Sequence, residues 1–328
     1  MKNKTLLVTG GTGFIGRNTL EYFRDIVTII APTHTQLDLL SQDAVDNFFR
    51  EHEIDYVIHC ANIGGNRKCQ GFVDSVGQNT RIFFNILENS QHFEKLIHFG
   101  SGAEYNKCRS LFRIPEASFG EYIPVDDYGF SKYLISKYIE KSDNCVCLRL
   151  FGVFGKYEDY EYKFISNSLI KNLLRMPIYI RQNVYFDWLY INDLMKIVAH
   201  FIEQDTPHRA YNITPGSSLD LITIANMINQ NSSFKSEIIV ETKGLNYDYS
   251  GDNSRLLTRM NDFQFTPMTS ALSELRDYYI SVLPHIDSDT IKRDDYAQYC
   301  TVRTPSSRFG CKEALAFRRG RNCPGHQK

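Results

Sequence analysis

The first half of this chain alternates short β-branched runs with longer amphipathic segments, and this alternation restricts its fold more than any other feature. The apolar, strand-like runs are residues 5–9, 27–31, 56–60, 96–100 and 146–150. The helix-like segments, with apolar side chains at the i, i+3, i+4 spacing, are residues 14–24, 42–52 and 78–91. A strand, a helix and a second strand in succession form a crossover that leaves the two strands parallel. The pattern therefore predicts an α/β fold with a Rossmann-type, doubly wound parallel sheet.

The second half has a looser pattern, in which Tyr, Asn and Ser become more frequent. Its helix candidates are 164–175, 192–204, 219–230 and 269–280, and its short strands lie near 178–180, 211–213 and 237–240. We interpret it as a smaller C-terminal α/β lobe that binds the substrate. The predicted division is a dinucleotide-binding domain at 1–155 with returns near 184–206, a substrate lobe at 156–183 and 207–285, and a basic, disordered tail at 286–328.

Charge and cysteine content exclude several classes of protein. A formal net charge of −1 argues against a general nucleic-acid binder, which needs a basic surplus. No apolar run approaches the roughly 18 residues of a membrane span. The eight cysteines lack the regularity of a disulfide scaffold and follow no secretion signal, so we expect reduced thiols in a cytoplasmic protein. Cys300, Cys311, Cys323 and His326 in the tail could ligate zinc, but only the last pair has a finger-like spacing, so we expect no metal.

A glycine-rich segment, VTGGTGFIGR, follows the first predicted strand and opens the first predicted helix. Gly10, Gly13 and Gly16 stand at the spacing that allows a tight turn and lets a pyrophosphate approach the backbone. The N-terminus of the helix offers unpaired N–H groups and a partial positive charge to phosphates. Because the glycines lie between a strand and a helix, they predict a dinucleotide-binding loop.

The residues after the second predicted strand indicate which dinucleotide binds. An NAD site usually has an acidic residue there to hold the ribose 2′-hydroxyl, whereas this chain has APTHT at 31–35. Arg17, just past the glycines, and His34 are cations suited to a 2′-phosphate. We therefore expect NADP(H), with NAD(H) as the alternative.

Two Tyr-Lys pairs with a spacing of four residues occur in DDYGFSKYLISKY. Residues four apart share a helix face, so Lys132 would lie one turn from Tyr128, and Lys137 one turn from Tyr133. A Lys ammonium beside a bound nicotinamide would lower the phenol pKa from its usual value of about 10. The phenol could then exchange a proton with a sugar hydroxyl or carbonyl. Ser101, at the carboxyl end of a predicted strand, is the candidate for orienting the substrate oxygen.

The chain resembles the extended short-chain dehydrogenase/reductases, in the epimerase/dehydratase branch that acts on nucleotide sugars. The resemblance runs from VTGGTGFIG through LDLLSQDAV, YVIHCAN, FGSGAEY and YGFSK to FDWLYINDL and TPMTSALSELRDYY, about residues 5–280. It implies that Tyr128 is the catalytic acid/base, that Lys132 lowers its pKa and holds the nicotinamide ribose, and that Ser101 completes the site. The second Tyr-Lys pair lies about 140° further round the helix and is the chance pair.

Within this branch, the chain is similar to GDP-L-fucose synthase-like 4-keto-6-deoxysugar reductases. The short connection from the second strand to LDL, the loop ANIGGN at 61–66 and the Asn of GQNTR carry the similarity. It implies that Asp38 and Leu39 flank the adenine and that Ala61 lines the cofactor groove. The full set of candidate cofactor contacts is Gly10, Thr12, Gly13, Phe14, Ile15, Gly16, Arg17, His34, Asp38, Leu39, Ala61, Asn79, Tyr128, Lys132 and Phe151.

The chain departs from those reductases at three positions. The Cys and His with which fucose synthases epimerise the carbons beside the ketone fall on Ala103 and on or near Lys163, so double epimerisation is not expected. The Arg that clamps the substrate diphosphate falls on Phe186, which cannot make those hydrogen bonds. The Asn of the family's N-V-Y-G is Gly152. The candidate substrate residues are Ala103, Lys163, Asn167, Arg181 and Arg255, the two arginines as substitutes for the missing clamp.

We therefore expect an NADPH-dependent reductase of a nucleotide-activated 4-keto-6-deoxysugar, in which hydride reaches the C4 carbonyl and Tyr128 gives the proton. One alternative is an NAD-dependent nucleotide-sugar 4-epimerase. The alternative from another class is a non-catalytic NADP-binding sensor, which would not need Ser101, Tyr128 and Lys132 together. A 4,6-dehydratase is disfavoured because that chemistry usually has an Asp-Glu pair after the serine, where this chain has Gly102 and Ala103.

The expected partner is a nucleotide-sugar substrate, with no nucleic acid and no membrane. Many relatives form homodimers through the helices that correspond to residues 71–91 and 128–141. Phe83, Phe84 and Ile135 would face either such an interface or the core of the protomer, and the sequence leaves both interpretations open.

Overall fold

The computed structural model describes residues 3–64 and 74–293, so the predicted tail lies outside it from residue 294 onwards. The strands are β1 (Thr5–Thr9), β2 (Thr28–Ile30), β3 (Tyr56–His59), β4 (Lys95–Ser101), β5 (Leu111–Ile114), β6 (Cys145–Leu150), β7 (Gly152–Phe154), β8 (Ile178–Asn183), β9 (Tyr185–Tyr190), β10 (Ala210–Ile213), β11 (Ser218–Asp220), β12 (Ile238–Leu245) and β13 (Tyr249–Gly251). The α-helices are α1 (Phe14–Phe23), α2 (Gln42–Glu51), α3 (Ser75–Leu87), α4 (Asp127–Ile139), α5 (Phe164–Leu173), α6 (Ile191–Glu203), α7 (Leu221–Gln230), α8 (Ser254–Arg259), α9 (Met268–Val282) and α10 (Ser288–Arg293). None of these described helices combines the length and the apolar character that a membrane span needs.

Six parallel strands form the central sheet in the order β10-β6-β4-β3-β1-β2. The interior strands β4 and β6 are buried along almost their whole length, which explains their continuous apolar runs. Alternate residues of β1 enter separate cores. Leu6 and Val8 pack on the side of α1 and α6, and Leu7 packs on the side of α2, α3 and α4. Helices therefore cover both faces, and the predicted doubly wound parallel sheet is confirmed.

The direction of winding reverses at β1. The chain leaves β1 for β2 on one side and later returns to β3 on the other side. The carboxyl ends of β1 and β3 therefore bound the crevice in which ligands of such sheets bind. Residues 31–41 connect β2 to α2 without a further strand, as the short connection in the sequence predicts.

The later strands form two smaller sheets. Strands β11-β9-β13-β5 pair in that order, with β7 also paired to β9, and β8 pairs with β12. Helix α6 returns from this region to pack against α1 and β4. The division into a dinucleotide-binding domain and a substrate lobe stays a prediction.

Helices α3 and α4 pack against each other, and this contact determines which of their apolar residues are buried in the protomer. Phe83 and Ile135 are buried in the core of the protomer. Phe84 is only half-buried, and its ring meets the exposed ring of Tyr138 edge-on, with 5.0 Å between centroids. Of the three residues considered for a dimer interface, Phe84 alone keeps an outward surface, and the homodimer stays a prediction.

The cysteines are not all free. Cys108 is disulfide-bonded, so the expectation of reduced thiols throughout is wrong. Irregular spacing along the chain does not show which cysteines the fold brings together, so this bond could not be predicted from the sequence. Cys60, Cys145 and Cys147 are free. Burial raises the pKa of Cys60 and of Cys147 to about 12, so these two thiols stay protonated and unreactive at neutral pH.

Candidate active site

The glycine loop joins β1 to α1, and two of its glycines lie too close to neighbouring backbone for a side chain to fit. Gly10 has a φ of +68°, and a Cβ there would lie 2.6 Å from the backbone nitrogen of Ala61. A Cβ on Gly16 would collide with the carbonyl oxygen of Gly10, so α1 rests directly on the loop. Gly13 is the N-cap of α1 and supplies no side-chain cap, and a Cβ there would meet only Gly10. The cradle therefore fits a pyrophosphate held by backbone N–H groups. The neighbouring predicted contacts are exposed or half-buried: Thr12, Phe14 and Ile15.

Asn79 of α3 holds the loop that follows β3. Its carboxamide accepts from the N–H of Ile63 at 2.7 Å and donates to the carbonyl of Ile63 at 2.8 Å. At the start of the loop, the N–H of Ala61 donates to Thr9 Oγ1 at 3.4 Å. The sequence predicts Asn79 as a cofactor contact, whereas the structure uses its amide to position the backbone that lines the groove.

The predicted adenine end of the groove has basic side chains and no carboxylate at the end of β2. Arg17 and His34 are exposed, and the guanidinium of Arg17 stacks 3.8 Å from the ring centroid of Tyr157. The Asp38 carboxylate accepts from an N–H of its own loop at 3.0 Å, and Leu39 is half-buried. This end of the groove therefore suits a 2′-phosphate better than a bare ribose hydroxyl.

Helix α4 carries both Tyr-Lys pairs on different faces. Lys132 is buried, and its Nζ donates to the carbonyl of Phe99 in β4 at 2.8 Å. Lys137 lies at the surface and pairs with Glu140 at 3.0 Å. The pair that the fold directs towards the end of β4 is therefore the one that begins with Tyr128.

The protein's own groups raise the pKa of the Tyr128 phenol. Burial is the main cause, and a hydrogen bond with Ser101 acts against it. Burial also lowers the pKa of the Lys132 ammonium, whose hydrogen bond goes to the backbone of β4. The expectation that Lys132 lowers the phenol pKa is therefore not met by the protein alone. A phenol that stays protonated at neutral pH is suited to give a proton rather than to take one.

Ser101 ends β4 and caps the 3-10 helix Gly102–Tyr105. Its Oγ accepts from the N–H of Ala103 at 3.2 Å, and its own N–H donates to Glu104 Oε1 at 2.8 Å. Glu104 pairs in turn with the buried Arg149 of β6 at 2.7 Å. This buried ion pair fixes the turn and, with it, the position of the Ser101 hydroxyl.

A second tyrosine, Tyr249, reaches the same serine and was missed by sequence reasoning. Its hydroxyl lies 3.4 Å from Ser101 Oγ. Its ring centroid is 5.2 Å from that of Phe151 and 5.3 Å from that of Phe186. The alternation of Tyr247 and Tyr249 with polar residues is typical of a strand, and it is the signal that could have placed β13. The local sequence does not show which strands β13 pairs with, and therefore does not show which residues Tyr249 faces.

Phe151, another predicted cofactor contact, is wedged between two glycines. A Cβ on Gly102 or on Gly251 would lie 2.6 Å from its ring. The ring of Tyr105 stacks on it at 6.5 Å between centroids. Phe151 therefore fills the space between the serine turn and β13.

Three of the predicted substrate residues lie on different elements of the fold. Ala103 is in the turn with Ser101, but its side chain is buried. Lys163 is exposed at the N-cap of α5. Asn167 uses its amide on two backbone carbonyls of the preceding loop, at 3.1 and 3.2 Å. Of these three, Ala103 shares the turn with the serine, and the substrate roles of Lys163 and Asn167 stay predictions.

The two arginines are not brought to the serine. Arg181 is exposed on β8, which pairs with β12 in a separate sheet. Arg255 donates to the carbonyl of Ala210 at 2.9 Å. In the register of the central sheet, Ile213 is level with Ser101, and Ala210 lies three residues before it. The Ala210 backbone is therefore on the order of 10 Å from the level of Ser101, towards the amino ends of the strands. Phe186, at the position of the diphosphate clamp, packs against Tyr249, and the role of either arginine as a substitute for the clamp stays a prediction.

Comparison with known proteins shows which family the sequence matches. Residues 6–214 match the model of the NAD dependent epimerase/dehydratase family. A GDP-L-fucose synthase from Azorhizobium caulinodans is 33% identical over 172 residues, which cover 48% of this chain and about half, 55%, of that protein.

Solved structures agree in fold. A GDP-L-fucose synthetase from Naegleria fowleri, bound to NADP, superposes with a TM-score of 0.74 at 18% identity, over 87% of this chain and 95% of that chain. A GDP-6-OMe-4-keto-L-xylo-heptose reductase from C. jejuni superposes with a TM-score of 0.74 at 17% identity, over 86% and 99%.

Proposed function

The chain belongs to the NAD dependent epimerase/dehydratase family, and from this premise we propose that it is an NADPH-dependent reductase of a nucleotide-activated 4-keto-6-deoxysugar. NAD(P) is the cofactor of the family, and the cations and missing carboxylate at the adenine end favour NADP(H) here. The alternative, a nucleotide-sugar 4-epimerase, would keep its NAD bound through the catalytic cycle.

The observation that carries the proposal is a protonated phenol beside a serine that is followed by two residues without acid or base groups. Gly102 and Ala103 stand where dehydration would need a carboxylic acid and a base. Burial keeps Tyr128 protonated at neutral pH. A protonated Tyr128 next to a turn whose residues 102 and 103 have no acid or base group supports simple reduction of a ketone.

The chain's own residues have separate tasks in this reaction. When bound, the reduced nicotinamide supplies the hydride to C4 of the sugar. Tyr128 gives its hydroxyl proton to the carbonyl oxygen, and Ser101 donates a hydrogen bond to the same oxygen. Lys132 is fixed by the Phe99 carbonyl at 2.8 Å, and it would hold the nicotinamide ribose, as the family resemblance implies.

GDP is the first nucleotide to test, because the most similar relatives by sequence include a protein named GDP-L-fucose synthase. Because Phe186 stands at the position of the usual Arg, another residue would have to bind the diphosphate of the substrate. A cytoplasmic location fits the supply of NADPH and nucleotide sugars and stays a prediction.

Cofactor turnover tests the proposal. The protein is mixed with NADPH or NADH and with a GDP- or dTDP-4-keto-6-deoxysugar, and loss of reduced nicotinamide is followed by absorbance. We expect one NADPH to be oxidised per keto sugar. In Tyr128→Phe the rate of this oxidation should be about 100- to 10,000-fold lower, because the proton donor is gone. Tyr133→Phe removes the hydroxyl of the other pair on the same helix, and its activity should stay within about twofold of the wild type.

Two results would contradict the proposal. Equal losses in Tyr128→Phe and Tyr133→Phe would show that the hydroxyl of Tyr128 is not the proton donor. No oxidation of either cofactor, with a nicotinamide that is released only on denaturation, would favour the 4-epimerase.

A further inference from the structure

Tyr249 enters the site from a strand distant in sequence from the other catalytic residues. Its backbone lies in β13, where it pairs with Leu111 of β5 and with Phe186 of β9. Strands on both sides therefore hold its backbone. Its hydroxyl is 3.4 Å from Ser101 Oγ, a long hydrogen bond of the kind that tightens when a substrate binds.

The space around the Tyr249 hydroxyl is limited on the side of the serine turn. A Cβ on Gly102 would lie 2.9 Å from that hydroxyl and 2.6 Å from the ring of Phe151. The tyrosine hydroxyl thus occupies the volume that a side chain directly after Ser101 would fill. The turn and the tyrosine are complementary, and a polar group next to the serine is supplied from β13.

The hydrogen-bonding capacity of Ser101 determines what this contact does. A serine hydroxyl has one hydrogen to donate and two lone pairs to accept with. One lone pair accepts from the N–H of Ala103 at 3.2 Å. If Tyr249 donates to the other lone pair, the single hydrogen of Ser101 is directed at the Tyr128 oxygen, where the ketone oxygen would take its place between the two hydroxyls. If Ser101 donates to Tyr249 instead, it has no hydrogen for the substrate.

We propose that Tyr249 is a positioning residue that donates its O–H to Ser101 Oγ and so directs the Ser101 hydrogen to the carbonyl oxygen of the substrate ketone. The inference rests on the proposed function, because it states how the ketone is held between Ser101 and Tyr128. Burial raises the pKa of the Tyr249 phenol, which keeps the hydrogen that this role requires.

A double-mutant cycle tests the effect through Ser101. Wild type, Tyr249→Phe, Ser101→Ala and the double variant are compared by steady-state kinetics with NADPH and the keto sugar. We expect Tyr249→Phe to lower kcat on the order of tenfold, the worth of one hydrogen bond, with an unchanged Kd for NADPH. In the Ser101→Ala background the same substitution should lower kcat less than twofold, because the group it acts through is gone.

Tyr247→Phe is the matched control, since Tyr247 is two residues away and its side chain is exposed. Its kcat and its melting temperature should equal those of the wild type. A tenfold loss from Tyr249→Phe in both backgrounds would overturn the proposal and make Tyr249 a direct substrate contact. An unchanged kcat in Tyr249→Phe would also overturn it.

A neutron structure of the deuterated wild-type protein tests the direction of the hydrogen bond without any turnover. Deuterium on the Tyr249 oxygen pointing at Ser101 Oγ supports the proposal, and deuterium on Ser101 pointing at Tyr249 contradicts it. If the wild type reduces none of the keto sugars, the proposed function fails in the kinetic experiment, and the neutron structure still decides the contact between the two hydroxyls.

Discussion

Glu158 is a carboxyl group that the protein buries in the segment after β7. Burial raises its pKa to about 8, and the hydroxyl of Ser166, which donates to its Oε2, acts against this rise. A Glu in an unfolded chain titrates near pH 4.3. Between about pH 4.5 and 8 the folded protein therefore holds a proton that the unfolded chain has released. The contribution of Glu158 to stability should therefore fall as the pH rises through this range.

Glu158→Gln should remove this pH dependence, because an amide resembles the protonated acid and does not ionise. Relative to the variant, we expect the wild-type free energy of unfolding to fall with pH on the order of 1 kcal/mol per unit between pH 5 and 7.5, because the buried His59 and His98, whose pKa burial lowers, act in the opposite direction equally in both proteins. Urea unfolding at several pH values measures both slopes. Glu121→Gln, at an exposed position, should keep the wild-type slope. Parallel curves for Glu158→Gln and the wild type would contradict the assignment.

At the scale of elements, the sequence located those parts whose signals are local. The glycine loop and Ser101 each lie at the end of an element whose apolar period is clear, and the Tyr128–Lys132 pair was identified by its spacing and by its likeness to a family motif. Strands β5 and β13 were not predicted, because they are short and gain their stability from pairing with segments far away in the chain. For the same reason the sequence missed Tyr249. It also could not show that Arg255 lies below the end of the sheet, since that depends on the register of β10.

The turn after β4 is stabilised by the buried pair of Glu104 and Arg149, and breaking this pair should be costly. Arg149→Met leaves a carboxylate buried without its cation, so we expect a loss of about 3–5 kcal/mol in the free energy of unfolding. The double variant Glu104→Gln/Arg149→Met removes both charges and should recover part of this loss. Equilibrium urea unfolding measures all three proteins. A double variant no more stable than Arg149→Met would argue against an uncompensated charge as the cause.

At the scale of the whole molecule, Arg17 connects the cofactor loop with the later part of the chain. Its guanidinium stacks on Tyr157, whose ring meets Tyr278 of α9 at 5.8 Å between centroids. One helix turn further, Glu21 pairs with Lys156 at 2.6 Å. A residue that the sequence predicts as a phosphate contact thus also joins the two halves of the protein.

Arg17→Ala should change the preference between the two nicotinamide cofactors. Loss of a charged contact to the 2′-phosphate should raise the Kd of NADPH about 10- to 100-fold and the Kd of NADH less than threefold. Isothermal titration calorimetry with each cofactor measures this difference. Arg24→Ala removes a cation just past the end of the same helix, where the side chain is exposed, and should leave both affinities unchanged. An equal loss of affinity for NADPH and NADH would show that Arg17 acts through its contact with Tyr157 and not through the 2′-phosphate.

The wedge of Phe151 between Gly102 and Gly251 limits the routes by which this chain can evolve a new chemistry. An acidic side chain at position 102, as dehydration requires, collides with Phe151 and with the Tyr249 hydroxyl. Shrinking Phe151 first removes the ring that supports Tyr249 beside the serine. Related activities on this fold are therefore separated here by a group of substitutions that must occur together, and the first of them alone carries a cost in fitness.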